Sequence, residues 1–133
     1  MFKLTLLSVA ALAASLVSAE TAYFTLQTYE QRDFVIQLTD DAKIAEARRI
    51  LSGEETDKIH VMGRIIKTHQ DYNPYWSFHL DPSTISFFNH AIEVCDAGVT
   101  YVEDHLDEAC GAFLPGCFFC PWTSKLIREN KQE

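Results

Sequence analysis

The sequence predicts a single α+β domain with a largely antiparallel sheet of about five strands and two helices. Three observations support this prediction. Short stretches of alternating apolar and polar residues recur along the chain, and two other segments carry helical caps and helical periodicity. The order of these elements lacks the regular βαβ alternation of a parallel sheet. No internal repeat or Gly/Ser-rich linker divides the chain.

The first half of the mature chain is predicted to hold two strands and a helix. Residues 23–28 are rich in aromatic and β-branched residues, and residues 34–39 alternate with the period of a half-buried strand. We expect a turn at residues 30–32 between them. Asp40 is predicted to cap a helix that ends before Gly53.

The second half is predicted to contain the remaining strands and a second helix. Residues 59–66 and 76–80 have strand-like composition, and residues 83–96 are expected to form a turn followed by a strand. Thr100 and Glu103 match a capping box at the start of a helix. The residues expected on its buried face are Tyr101, Val102, His105, Leu106 and Ala109.

The first 19 residues predict a secretory signal peptide, so that residues 20–133 form the mature domain. Lys3 precedes an apolar run, and Val17 and Ala19 fit the small-residue pattern before cleavage at Glu20. The run is shorter than the ~20 residues that span a bilayer, and no second run follows. We therefore expect a secreted, extracellular protein without a membrane span.

The charge balance is acidic. The 133 residues include 19 Asp and Glu against 11 Lys and Arg, which gives a formal net charge of −8. Residues 1–19 contain only Lys3 among the charged residues, so 10 basic and 19 acidic residues remain without them and the charge becomes −9. Such a balance argues against a surface that tracks phosphates, and nucleic acid is not an expected partner.

Four cysteines lie in the last third of the chain: Cys95, Cys110, Cys117 and Cys120. An even number in a secreted chain predicts two disulfides, and spacing alone leaves three pairings open. A redox motif at Cys117 and Cys120 is disfavoured because Pro121 follows it and no helix begins there. A zinc site is disfavoured because no histidine pair accompanies the single C-x-x-C. We expect no metal and no cofactor.

Several stretches of the chain resemble one family. They include YNPYWSFHLDPSTISFF at residues 72–88, AIEVCDA at residues 91–97 and FLPGCFFCPWTSKL at residues 113–126. Together they resemble the N-terminal domain of the slime-mould calmodulin-binding protein family, a domain that also occurs alone in bacterial and fungal proteins. The resemblance covers residues 23–126 and brings no catalytic residues with it.

The resemblance also bears on the disulfides and on calcium. Counterparts of Cys95 and Cys120 are usual in the family, whereas those of Cys110 and Cys117 are not. It therefore implies a Cys95–Cys120 bridge and an added Cys110–Cys117 bridge. A calcium- or calmodulin-linked module is the weaker functional alternative, because calmodulin targets are basic amphipathic helices and the helix expected at residues 100–109 is acidic.

Aromatic residues in irregular segments are the candidate binding residues. Tyr72, Tyr75 and Trp76 lie in one loop beside Pro74, and Trp122 follows Pro121. Aromatic side chains in such segments give a rigid amphipathic contact surface for a peptide or a sugar.

His79 and Asp81 are two apart on a predicted strand and therefore project from the same face. With Glu93 from a neighbouring strand they could form a general acid/base group or a metal site. The local alternative is that His79 bonds to nearby backbone and Asp81 caps the following turn.

These features lead to two functional hypotheses. The first is a small secreted, disulfide-containing and monomeric binding module, an inhibitor or effector that contacts an extracellular protein or carbohydrate without catalysis. The alternative is a small secreted hydrolase that uses His79, Asp81 and Glu93. No G-x-S-x-G or H-E-x-x-H motif accompanies them. A buried His79 bound to a backbone group would count against the hydrolase.

Overall fold

The structure is a computed structural model that describes residues 20–27, 32–91 and 93–131. The predicted signal peptide lies outside these residues. Apolar residues at alternate positions make the ends of the described chain into one antiparallel sheet. β1 (Ala22–Gln27) pairs with β2 (Phe34–Leu38), with Phe24 opposite Ile36, and β9 (Lys125–Asn130) pairs with the other edge of β1. The order β2-β1-β9 therefore brings the last strand against the first.

A second antiparallel sheet is built on one central strand. β3 (His60–Ile66) pairs with β4 (His79–Leu80), β5 (Ser86–Phe88) and β8 (Phe118–Phe119) along successive parts of its length. β6 (Ala109–Cys110) and β7 (Phe113–Pro115) form a small separate parallel pair.

The first helix follows the prediction closely. α1 (Asp41–Ser52) begins after Asp40, whose carboxylate accepts hydrogen bonds from the backbone N–H groups of Ala42 at 2.8 Å and Lys43 at 3.4 Å. It ends at Gly53, which adopts a φ of 87° that favours glycine. Ile44 is buried on the inner face of the helix.

The α+β class, the antiparallel pairing and the two helices are confirmed. The strands are more numerous and shorter than expected: the described ranges contain nine strands in three sheets. Of the strand expected at residues 76–80 only His79–Leu80 forms. The expected turn and strand within residues 83–96 become the 3-10 turn Pro82–Thr84, strand β5 and the 3-10 turn Glu93–Cys95. Most of the turn expected at residues 30–32 lies outside the described residues.

The prediction of a capping box on the second helix is wrong. α2 (Val99–Asp104) begins after Gly98, so Thr100 lies inside the helix. The Glu103 carboxylate instead accepts hydrogen bonds from the backbone N–H of Ser77 at 2.8 Å and from its hydroxyl at 2.6 Å. A tertiary partner has replaced the local one. Val102 is buried as expected, but Tyr101 is 53% exposed rather than inward.

Aromatic side chains join the two sheets. The Phe78 ring lies between Phe34 of the first sheet and Phe119 of the second, with ring centroids 5.2 and 6.2 Å away. Trp76 packs beside Phe34 and Phe78 at 6.1 and 6.4 Å. All three phenylalanines are fully buried, so this cluster is the centre of the core.

A buried amide supports the same junction. The Asn73 Oδ1 atom accepts a hydrogen bond of 2.8 Å from the Val35 N–H, and its Nδ2 donates one of 3.2 Å to the Phe78 carbonyl. Asn73 is completely buried, so both bonds replace contacts with water. The described part of the chain contains no helix that is long and apolar enough to cross a membrane.

We predict that Asn73→Ala lowers the free energy of unfolding by about 2 kcal/mol, because it leaves two buried backbone groups unpaired. Urea denaturation measures the loss. Asn89→Ala is the matched control: Asn89 is exposed and its side chain bonds to the Asp57 carboxylate at the surface, so a loss below about 0.5 kcal/mol is expected. Equal losses in the two variants would contradict this account of Asn73.

Candidate functional site

Two disulfides organise the C-terminal segment. Cys95 bonds to Cys120 and Cys110 bonds to Cys117, which is the pairing that the resemblance implies. Cys95 and Cys120 are buried, and the Cys120 N–H donates a hydrogen bond of 2.7 Å to the Cys95 carbonyl. Cys110 and Cys117 are only half-buried. The first bridge is therefore part of the interior, and the second lies nearer the surface.

An apolar groove of about 380 Å³ lies beside these bridges. We call it the apolar groove. Its walls come from β3, from the segment that ends in the 3-10 turn Glu93–Cys95, and from β7 and β8. Its lining consists of Met62, His90, Ala91, Val94, Cys95, Pro115 and Phe118.

Two hydrophobic side chains of the lining are exposed to solvent. Val94 is 48% exposed, and Phe118 is also exposed and has the Arg64 guanidinium 5.0 Å from the centre of its ring. Single exposed apolar residues are ordinary, but several that line one depression mark an interaction site. The groove is therefore the strongest candidate contact surface in the described part of the chain.

Trp122 lies close to this groove in the fold. Its backbone N–H donates a hydrogen bond of 2.9 Å to the carboxylate of Asp96, which directly follows Cys95. The Trp122 side chain is partly exposed. Among the predicted binding residues, Trp122 is thus the one that the structure places next to the groove.

The predicted aromatic loop has mainly a structural role. Trp76 is buried, and its indole N–H donates a hydrogen bond of 2.7 Å to the Asp33 carbonyl. Tyr75 is 55% exposed, with the Arg32 guanidinium 5.1 Å from its ring centre. Among the three predicted aromatic residues of this loop, Tyr75 alone presents most of its side chain to a partner.

The three residues of the catalytic hypothesis have separate local roles. His79 is 4% exposed, and its Nδ1–H donates a hydrogen bond of 2.8 Å to the Thr68 carbonyl. The Asp81 carboxylate accepts from the N–H of Ser83 at 3.0 Å and from its hydroxyl at 2.9 Å. Asp81 therefore caps the turn Pro82–Thr84, while Glu93 begins another turn. This arrangement counts against a shared acid/base site.

The remaining acidic and sulfur-containing groups do not converge either. In residues 20–27, 32–91 and 93–131, no group of three or more His, Cys, Asp or Glu side chains is placed to hold a metal ion.

Tyr72 packs its ring against Tyr23 and His79, with centroids 5.2 and 6.3 Å apart. Its phenol oxygen is buried and has no hydrogen-bond partner among the described residues. This burial raises the pKa of Tyr72 to about 12, and the nearby Tyr23 and Asp81 contribute to the same shift. The predicted binding residue Tyr72 is therefore a packing residue with a desolvated hydroxyl.

Comparison with known proteins identifies the family. A family model for the N-terminal domain of the slime-mould calmodulin-binding protein, which is the domain that the sequence resembles, matches residues 20–133. No curated protein and no solved structure matches the chain.

We predict that Tyr72→Phe raises the free energy of unfolding at neutral pH by about 1 kcal/mol, because it removes a buried hydroxyl that has no partner. Above pH ~10 the unfolded state ionises Tyr72 while the folded state keeps it protonated, so wild-type stability falls until pH reaches the folded pKa of about 12. Tyr72→Phe abolishes this part of the fall.

Denaturation at several pH values, with phenolate absorbance in parallel, measures both effects. Tyr75→Phe is the matched control, because Tyr75 is exposed and its change leaves both quantities as in the wild type. A Tyr72 that ionises together with the exposed tyrosines would contradict its burial.

Proposed function

We propose that this chain, which belongs to the calmodulin-binding protein N-terminal domain family, is a secreted, monomeric and non-catalytic module that binds another extracellular protein. The observation that carries this proposal is the apolar groove between the 3-10 turn Glu93–Cys95 and strands β3, β7 and β8. The proposed contact is an apolar side chain of the partner seated in this groove.

The chemistry of the lining favours a protein over a carbohydrate. Among the described lining residues, His90 is the one with a hydrogen-bonding side chain. A sugar requires several polar groups that fix its hydroxyls, whereas an apolar anchor of a protein partner requires a desolvated hydrophobic pocket. The volume of about 380 Å³ suits one or two such side chains.

The groove is also held in shape before any partner arrives. The Cys95–Cys120 bridge and the hydrogen bond from Cys120 to Cys95 fix one wall, and the pairing of Arg64 with Phe118 in β3 and β8 fixes another. A preformed site loses less conformational entropy on binding.

Two observations support secretion. The apolar run with Lys3 before it has the composition of a signal peptide, and the family match begins at residue 20, directly after the predicted cleavage site. The two disulfides are compatible with an oxidising compartment. The local roles of His79 and Asp81 support a function without catalysis.

We predict that Val94→Asp weakens partner binding at least about tenfold, because it places a charge inside the contact. The mature domain captures the partner from extracellular fluid, and calorimetry with the purified partner measures the Kd. Ile127→Asp is the matched control: Ile127 is 40% exposed on β9 and lines a different depression. It adds the same charge and leaves the Kd within about twofold. Equal losses in the two variants would contradict the proposed site.

We predict that a secretory host releases the chain with Glu20 as its first residue, because Ala19 supplies the small residue that cleavage requires. N-terminal sequencing of the protein in the medium tests this. Ala19→Arg, which blocks the cleavage site, is expected to leave the chain unprocessed. A wild-type chain that stays in the cell with Met1 intact would contradict secretion.

A further inference from the structure

The two disulfides differ in how accessible they are to a reductant. Thiol–disulfide exchange needs a thiolate to approach a sulfur atom directly. Cys120 is completely buried and Cys95 nearly so, whereas both Cys110 and Cys117 are half-buried. A small thiol in solution therefore reaches the Cys110–Cys117 bridge first.

The ring closed by Cys110 and Cys117 also concentrates backbone strain. The described non-glycine residues with positive φ are Cys110 at 73°, Leu114 at 50° and Cys117 at 69°, and all three belong to this ring. L-residues with a side chain favour negative φ, so each position has a conformational cost that the surrounding contacts must offset. Opening the bridge removes one of those contacts.

The same ring forms part of the groove wall. Pro115 lies inside the ring and Phe118 directly follows it, and both line the apolar groove. Cys117 connects the ring to the second sheet, because its carbonyl accepts a hydrogen bond of 2.9 Å from the Ile65 N–H. A change of backbone conformation at Cys117 therefore moves the side chains that face the ligand.

We infer that the Cys110–Cys117 disulfide is a redox-sensitive bridge that controls the apolar groove, an inference that rests on the proposed function of that groove. The co-reactant is a small extracellular thiol. One thiolate attacks a sulfur of the bridge, forms a mixed disulfide and releases a cysteine thiolate, which takes up a proton. A second thiol resolves the mixed disulfide, so the chain gains two thiols and the reductant becomes a disulfide.

Reduction leaves the rest of the domain in place. The Cys95–Cys120 bridge still holds the opposite wall, which contains Val94. The aromatic cluster of Phe34, Phe78 and Phe119 contains no residue of the ring. The expected product is a folded domain whose groove has lost its fixed shape on one side.

The first test measures selectivity. The mature protein is incubated with graded concentrations of reduced glutathione or dithiothreitol, quenched with an alkylating agent and analysed by peptide mass spectrometry. We expect Cys110 and Cys117 to be alkylated at least about tenfold faster than Cys95 and Cys120. Equal rates, or earlier opening of Cys95–Cys120, would overturn the inference.

The second test measures the groove itself. The probe is an apolar fluorescent dye, anilinonaphthalene sulfonate, and only the binding that Val94→Asp removes and Ile127→Asp retains is counted. We expect selective reduction to weaken this component at least about tenfold, while circular dichroism of the domain is retained. The double variant Cys110→Ser and Cys117→Ser is expected to show the weak binding without reductant, and to change no further at reductant concentrations that open the wild-type bridge.

The outcomes separate the two proposals. If the oxidised protein shows no dye binding that depends on Val94, the proposed site fails, and alkylation still reports whether the bridge opens selectively. If that binding exists and is equal before and after selective reduction, the groove stands and the redox control is refuted. The wild-type measurement decides this even where the double variant does not fold.

Discussion

The position of the Phe78 ring between Phe34 and Phe119 is the contact on which the rest of the structure depends. Neither sheet is large enough to bury its own apolar face, so each is stable only when packed against the other. Asn73 supports this contact from the backbone side, because it bonds next to Phe34 at Val35 and directly to the Phe78 carbonyl. The loop of residues 72–76 is consequently part of the core, although its composition is typical of a binding loop.

That constraint explains why the contact surface lies elsewhere. With Trp76 and His79 committed to the interior, the exposed hydrophobic groove is left where the second sheet meets the C-terminal segment. Its residues come from β3, from the turn Glu93–Cys95 and from β7 and β8, which are far apart in the chain. The groove is formed by disulfide bonding and strand pairing together, and it does not correspond to any single stretch of sequence.

Sequence reasoning succeeded where the determining forces are local. Asp40 and Gly53 bound α1 because a cap carboxylate and a left-handed glycine act on their own neighbours, and alternation located β1 and β2 for the same reason. It failed where a distant partner competes with a local one. Glu103 matches a capping box, yet its carboxylate bonds to Ser77, 26 residues away. Val94 and Phe118 could not be joined into a groove from sequence, because their proximity depends on the Cys95–Cys120 pairing, which spacing left open.

The placement of the cysteines follows from the same division between strong and weak pairing. β1, β3 and β9 are six or seven residues long, and their backbone ladders hold them in register. β6, β7 and β8 contain only two or three residues each, too few for a hydrogen-bond ladder to fix the segment. Both disulfides involve this segment. Covalent bonds thus take over the role of backbone pairing in the region that forms the groove, so the geometry of the contact surface is more sensitive to the bridges than the geometry of the core is.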